Sequence, residues 1–298
     1  MTKAIITGGS GFFGECLINY LSEQKIDCYS VDINEPEKKD NLVNFYKIDV
    51  CNTLELIKSF KEKDLVFHSV ATVPLAKDKK LFYKTNVLGT KSVLDACVEA
   101  KIKKVVILSS SAVYGIPSHN PVDETTAPNP MEDYGKAKLQ SEKICFDDKY
   151  SNIDISIIRP RTILGHGRLG IFEILFQWIS EGHNIPVLNG GKNLYQFIHA
   201  NDLASACYLS TNLEGINILN CGTDKFSSMR DVLQFLCEYS RTGSKVKSLP
   251  MWLIEPLMSL LSAINLSPLA PYHSLMYGRS LYFDIKKISK LGWKPKYS

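Results

Sequence analysis

The sequence predicts an α/β chain: a doubly wound parallel sheet with a smaller C-terminal lobe. Three observations lead there. Short apolar runs alternate with helical patterns up to about Arg159, the order that sets parallel strands between crossover helices. The first run, Lys3-Ala4-Ile5-Ile6-Thr7, leads straight into a glycine-rich turn from Gly8 to Gly14. Thr7, Asp32, His68, Ser110 and Arg159 all fall at the ends of such runs, where open α/β sheets present their ligand-binding groups.

Lys3–Thr7 reads as a buried parallel strand because it is short and apolar without polar alternation. Glycines at 8, 11 and 14 then suit a tight turn, close backbone approach to a pyrophosphate, and close helix packing. A helix is expected from about Phe12, so that its first N–H groups face the phosphates. The spacing is G-x-x-G-x-x-G rather than G-x-G-x-x-G. Asp27 to Val31 reads as the second strand, and Asp32 ends it 18 residues past Gly14. A carboxylate there accepts bonds from an adenosine ribose 2′-hydroxyl. It would repel a 2′-phosphate, and Ile33, Asn34 and Glu35 offer no arginine to receive one. NAD is therefore expected over NADP. Further strands are expected over Asp64–His68, Lys104–Leu108 and Ile153–Ile158, with a helix from Asn86 to Ala100.

Tyr134 and Lys138 are four residues apart, on one face of any helix that contains both. A lysine cation near a tyrosine favours phenolate, and a tyrosine so tuned exchanges a proton with a hydroxyl or carbonyl near neutral pH. The run Ser109-Ser110-Ser111 lies upstream, and a serine hydroxyl there can hydrogen-bond the same substrate oxygen.

Together these segments resemble the extended short-chain dehydrogenase/reductases of the NAD-dependent epimerase/dehydratase family, over nearly the whole chain. The resembling pieces are Thr7 to Gly14, Lys47-Ile48-Asp49-Val50, His68-Ser69-Val70-Ala71, Asn86-Val87-Leu88-Gly89-Thr90, Ser109 to Gly115, Tyr134 to Lys138, Arg159-Pro160, Phe197 to Ala204 and Leu291-Gly292-Trp293-Lys294-Pro295. Val70 departs from the family's alanine. The resemblance implies a Rossmann domain over residues 1–159, with a return near 195–225, and a substrate lobe over 160–298. It implies an NAD site formed by Gly8, Gly11, Phe12, Phe13, Gly14, Asp32, Asp49, Val50, Val70, Ala71, Asn86, Tyr134, Lys138 and Arg159. It names Ser110, four residues before Tyr114, as the catalytic serine beside Tyr134 and Lys138, with Ser111 the weaker candidate. His68 is expected to brace the fold, and Asn86 to cap a helix and order cofactor-side structure.

By the same resemblance, Ser111 and Ala112 stand where 4,6-dehydratases carry an acidic pair. Ala112 also stands where decarboxylases carry glutamate and 3,5-epimerases cysteine. Alanine does no proton chemistry, so the expected reaction is hydride transfer at one secondary alcohol or ketone carbon: a 4-epimerase or 4-keto reductase of a nucleotide-sugar. A 3β-hydroxysteroid dehydrogenase-like enzyme for a hydrophobic cyclic alcohol is the alternative, suggested by the apolar run from Met251 to Leu266. A non-catalytic NAD sensor is a third reading. In the lobe, Thr162 and Gln196 replace the family's diphosphate-binding asparagine and arginine. Arg161, Arg168, Lys192 and Arg279 are candidates to take over as phosphate partners. His166 is expected to be a turn residue.

Composition agrees with an ordinary globular enzyme. The 298 residues are 45% hydrophobic and 22% charged, with a net charge of +4. No long basic run points to nucleic acid. The eight cysteines are scattered without metal-ligand spacing, as expected for buried apolar residues in a reducing compartment. No metal site is expected. The first strand begins at Lys3, which leaves no room for a signal peptide, and the apolar run is interrupted by Glu255 and Pro256. A cytoplasmic homodimer without a transmembrane segment is the expectation.

Overall fold

The computed structural model describes residues 1–36, 44–72, 79–165, 171–250, 252 and 278–297. Seven strands form the main sheet: β1 (Lys3–Thr7), β2 (Asp27–Asp32), β3 (Asn44–Lys47), β4 (Leu65–His68), β5 (Lys104–Leu108), β6 (Asp154–Pro160) and β7 (Ile216–Cys221). Their spatial order is β7-β6-β5-β4-β1-β2-β3, and every pairing is parallel. The chain runs outward from β1 to β3, then resumes at β4 on the other side of β1. That reversal opens a crevice above the C-terminal ends of β1 and β4, where a doubly wound sheet binds its ligand.

The helices are α1 (Phe12–Glu23), α2 (Thr53–Phe60), α3 (Gly89–Glu99), α4 (Asp133–Ile144), α5 (Ile171–Ser180), α6 (Ala200–Ser210) and α7 (Met229–Ser240). Successive residues of β1 face opposite sides of the sheet, as strand geometry requires. Ala4 and Ile6 join a cluster with Leu17 and Leu21 of α1 and Leu203 of α6. Ile5 joins the other, with Leu56 and Phe60 of α2 and Val93 and Leu94 of α3. Both faces are covered, which explains the apolar runs of the strands. The expected Asn86–Ala100 helix begins as α-helix only at Gly89, after a π-helical stretch over Phe82–Leu88.

After β6 a third apolar cluster forms. Ile185–Leu188 pairs in parallel with Val246–Leu249, and Phe172, Leu175 and Ile179 of α5 pack with Leu233 of α7. The chain returns to the main sheet at β7, beside β6. Two C-terminal motifs are linked physically. Trp293 Nε1 donates to Ser205 Oγ at 2.9 Å, and the Asp202 carboxylate accepts the Lys296 and Tyr297 N–H groups, each at 2.9 Å. All eight cysteines are free. Burial pushes the Cys28 thiol up to about 11 and the Cys145 thiol up to about 12. Among the described residues no helix is long and apolar enough to cross a membrane. The apolar Met251–Leu266 run lies outside the described residues except for Trp252, which is exposed. Arg168 and His166 lie outside them too.

Candidate functional site

The glycine turn is built by contact, not by sequence fashion. Gly8 has φ +79°, its N–H donates to Val31 O at 2.8 Å, and a Cβ there would lie 2.9 Å from Val70 N. A Cβ on Gly14 would lie 1.9 Å from Gly8 O, so α1 can approach the turn only with glycine at that place. Gly9, not singled out in the sequence, is also constrained: its Cβ would meet Ser30 Oγ at 2.2 Å. Gly11 is different. Its only close neighbour would be Gly8 O at 3.2 Å, and it precedes α1 without a side-chain cap, so its outer side remains open to a ligand. Ser10 Oγ in the same turn is buried and has no partner.

Asp32 ends β2 beside this turn. Its two carboxylate oxygens accept the Ser10 N–H at 3.2 Å and the Asn34 N–H at 3.1 Å, and each keeps lone pairs for a hydroxyl. Asp49 follows β3 and is half-exposed. The Cys51 N–H and, more weakly, Lys84 hold its carboxyl below its ordinary range. A glycine cradle, an uncapped helix start, an orphaned serine hydroxyl and an accepting carboxylate fit a dinucleotide. Not all expected contacts are side-chain contacts. Phe13 and Val50 are buried, and Val50 packs where a Cβ on Gly89 would sit 2.9 Å from its Cγ2. Those two face the core and offer a ligand only their backbone. Phe12 lies against Gly165. Val70 and Ala71 follow β4, with Val70 N against Gly8. Gly14→Ala is expected to abolish NAD binding in a thermal-shift titration while β1 and the rest of the fold persist; unchanged NAD affinity would contradict the cradle.

His68 is a brace. Thr90 Oγ1 donates to Asn86 O at 2.7 Å and so accepts from His68 Nε2 at 3.0 Å. His68 Nδ1 must then accept from Thr7 Oγ1 at 2.7 Å. Burial first, and the nearby Lys138 second, lower its pKa to about 3, so the ring is neutral. Asn86 does not cap a helix. It sits in the π-helical stretch and grips the backbone of Thr72, accepting its N–H at 2.8 Å and donating to its carbonyl at 3.1 Å. Its carboxamide thereby fixes the chain leaving β4 rather than reaching for a ligand.

At the end of β5, Ser110 accepts the Ala112 N–H at 3.1 Å and caps the short 3₁₀ turn Ser111–Tyr114. Helix α4 is driven onto that turn. A Cβ on Gly135 would lie 2.5 Å from Ala112 O, so the residue after Tyr134 has to be glycine for the approach. Lys138 Nζ donates to Leu108 O at 2.7 Å, two residues before Ser110. Tyr134 and Lys138 are both buried, with Tyr134 in edge contact with Phe82 at 6.1 Å. Burial pulls the Lys138 pKa down to about 8, with Glu142 pulling the other way. Glu132, missed in the sequence, sets the start of α4: its carboxylate accepts the Tyr134 N–H at 2.7 Å and the Gly135 N–H at 2.6 Å. The signal was present, an acidic residue just before a helix.

Arg159 was expected at the cofactor. Its side chain is buried, with Nε and Nη2 donating to Glu142 at 2.9 and 2.6 Å and Nη1 donating to Tyr114 at 2.7 Å. Ser109 donates to the same carboxylate, and Tyr114 donates on to Asn220 Oδ1 at 2.8 Å. Arg159 therefore ties α4 to β6 beneath the site. Gln196 was expected at the substrate. It is fully buried, its Nε2 donating to Thr223 O at 2.7 Å and its Oε1 accepting the Phe283 N–H at 2.8 Å. Thr162 Oγ1 lies 2.8 Å from Tyr195 Oη. Arg161 and Ser111 are brought together, Nη1 donating to Oγ at 2.9 Å. Arg279 is part-buried in the returning segment before Leu281, and Lys192 is exposed. Among the described residues no cluster of side chains could hold a metal ion.

Comparison with known proteins places this geometry in a family. The family described as "NAD dependent epimerase/dehydratase family" matches residues 4–222. An uncharacterized protein, y4nG of Sinorhizobium fredii, is 47% identical over 99% of this chain and 75% of its own length. The mouse sterol-4-alpha-carboxylate 3-dehydrogenase (decarboxylating) is 27% identical over 98% of this chain and 86% of its own. A UDP-glucose 4-epimerase structure from Thermotoga maritima, with UDP-glucose, superposes with a TM-score of 0.80 at 21% identity, covering 100% of this chain and 94% of that one.

Proposed function

Since the chain belongs to the NAD-dependent epimerase/dehydratase family and is an NAD-dependent enzyme of that kind, we propose that it interconverts a secondary alcohol and a ketone at one ring carbon, with a nucleotide-sugar as the leading substrate class. The observation that carries this reading is the seating of α4 on the end of β5: Gly135 against the Ala112 carbonyl, and Lys138 Nζ on Leu108 O at 2.7 Å. That seating, with Tyr134 in one apolar cluster with Ala112, supports reading Tyr134, Lys138 and Ser110 as one site.

When bound, NAD would supply the hydride acceptor for oxidation of the carbinol carbon and the hydride donor for reduction. Tyr134, as phenolate, takes the hydroxyl proton, and Ser110 hydrogen-bonds the oxygen as it becomes a carbonyl. Lys138 supplies the positive charge that favours phenolate. Its ammonium has three donors, of which Leu108 O takes one, so the others can orient the cofactor's ribose hydroxyls. Asp32 accepts the adenosine ribose hydroxyl. Ala112 is buried and carries no acid or base, which supports redox at a single carbon over elimination. Return of hydride to the opposite face gives 4-epimerisation; net reduction gives a 4-keto reductase.

A second reading, a dehydrogenase of a hydrophobic cyclic alcohol, is favoured by two observations. Gln196, at the place the family uses for diphosphate, is closed inside the protein, and the mouse sterol relative matches nearly the whole chain. Incubation with NAD and either UDP-sugars or 3β-hydroxysteroids separates the two. Product formed from a sugar without net NADH identifies the epimerase, and NADH accumulating with a steroid identifies the second reading. No turnover of either class would overturn both.

A further inference from the structure

Two arginines stand at alternate positions at the end of β6, Arg159 within the strand and Arg161 just after it, and both are buried: Arg159 at 2% exposure and Arg161 at 3%. Their surroundings differ in kind. Arg159 has a carboxylate across both its Nε and Nη2. Arg161 has none among the described residues. Its Nη1 donates to the neutral Ser111 hydroxyl, its Nε is buried without a partner among the described residues, and its faces lie over the rings of Tyr195 and Phe283, with centroids 5.2 and 5.9 Å away. Ring contacts offset part of the desolvation of a guanidinium. They do not neutralise it, and a buried charge without a counter-ion is costly. A protein that keeps such a group beside its reacting centre has a place for an anion that arrives with the ligand.

We propose that Arg161 binds a carboxylate carried on the ring carbon next to the reacting one, so that the substrate is a cyclic β-hydroxy acid. The proposal rests on the reading of Ser110 and Tyr134 as the groups that handle the reacting oxygen. Position selects the adjacent carbon. Arg161 hangs from Ser111, the immediate neighbour of Ser110, and consecutive Cα atoms are about 3.8 Å apart. In a hexopyranose the diphosphate leaves from C1, across the ring from C4, whereas the C6 carboxylate of a uronic acid sits on C5, next to C4. Chemistry selects the carboxylate. With Nη1 on Ser111, the Nε–Nη2 edge is the one left for a planar two-oxygen partner. Ser111 fixes the guanidinium in the plane that presents that edge.

The test uses the NAD-loaded protein and two acid–neutral pairs: UDP-glucuronic acid against UDP-glucose, and trans-2-hydroxycyclohexanecarboxylate against cyclohexanol. Binding is read by calorimetry and thermal shift, with turnover followed separately. The acid of at least one pair is expected to bind about 10- to 100-fold tighter than its neutral partner, the range of a charge-assisted hydrogen bond. Arg161→Met removes that preference and leaves UDP-glucose affinity unchanged. Equal affinity within both pairs overturns the proposal. Equal losses of UDP-glucose and UDP-glucuronic acid in Arg161→Met overturn it too, because the guanidinium then holds the diphosphate. Without ligand, Arg161→Met is expected to melt no lower than wild type, since it removes a charge that no described residue balances. A large fall would make the arginine a structural contact and sink the proposal. Tyr134→Phe separates the two readings: turnover unchanged there defeats the catalytic assignment, while the acid preference in binding stands or falls alone.

Discussion

Tyr134→Phe is expected to lower kcat by about 10²- to 10⁴-fold, the usual worth of a positioned acid–base group, with NAD affinity nearly unchanged. The substitution removes one oxygen and keeps the ring, whose edge contact with Phe82 survives, and Glu132 still holds the helix start through the backbone N–H groups of residues 134 and 135. Steady-state turnover with whichever substrate class the enzyme turns over, alongside NAD titration, measures both quantities. Turnover equal to wild type would remove Tyr134 from the chemistry. The pH profile gives a second readout. Burial pulls the Lys138 pKa down to about 8 from its ordinary 10.5, so the ammonium that supports the phenolate is present below about pH 8 and lost above it. Wild-type kcat should therefore decline on the alkaline side of that value. The same shift affects stability with a definite sign. Between about 8 and 10.5 the unfolded chain binds more protons at this lysine than the folded one, so its contribution to stability rises with pH across that window and is unfavourable below it.

How far the sequence carried depended on whether a feature is local. β1 and β5 match their apolar runs residue for residue, Lys3–Thr7 and Lys104–Leu108, because a strand buried on both faces leaves a continuous apolar signature bounded by turns. The helix bearing Tyr134 and Lys138 was expected from the family resemblance; the four-residue spacing said only that both would share one face of it. Arg159 was not legible. Its strand position is readable, but its direction is set by Glu142 and Tyr114, 17 and 45 residues away. Gln196 was placed at the substrate only by its position in the resemblance; two backbone partners from distant segments satisfy it inside. Gly135 carried a local clue that went unused. A glycine within a helical pattern usually marks a close approach, here to the Ala112 carbonyl. The substrate lobe was least legible, since its contacts join segments from Arg161 to Phe283 and no short motif spans them.

Glu142→Gln should be the most destabilising single change at this site and should also alter its chemistry. Glu142 and Arg159 are 2% and 3% exposed at the side chain and meet at 2.6 Å. The variant leaves a buried guanidinium facing a neutral amide, a loss of about 3–5 kcal/mol for such a pair, readable as a lower denaturation midpoint in urea at constant slope. The double variant Glu142→Leu/Arg159→Met removes both charges and should recover most of that loss, because two apolar residues of similar volume replace an ion pair at little cost. A single variant within about 1 kcal/mol of wild type, the range of exposed pairs, would show that the pair does not hold α4 to β6. The chemical effect has its own sign. Glu142 raises the proton affinity of Lys138 one helical turn away, and Arg159, left unpaired in the variant, opposes the ammonium further. Both changes lower the lysine pKa, so the alkaline decline of kcat should move below about pH 8 in the protein that remains folded. A bond that only braced the helix would reduce the amount of folded enzyme and leave that midpoint where it is. The displacement of the pH profile is therefore what separates a brace from a group that sets the charge beside Tyr134.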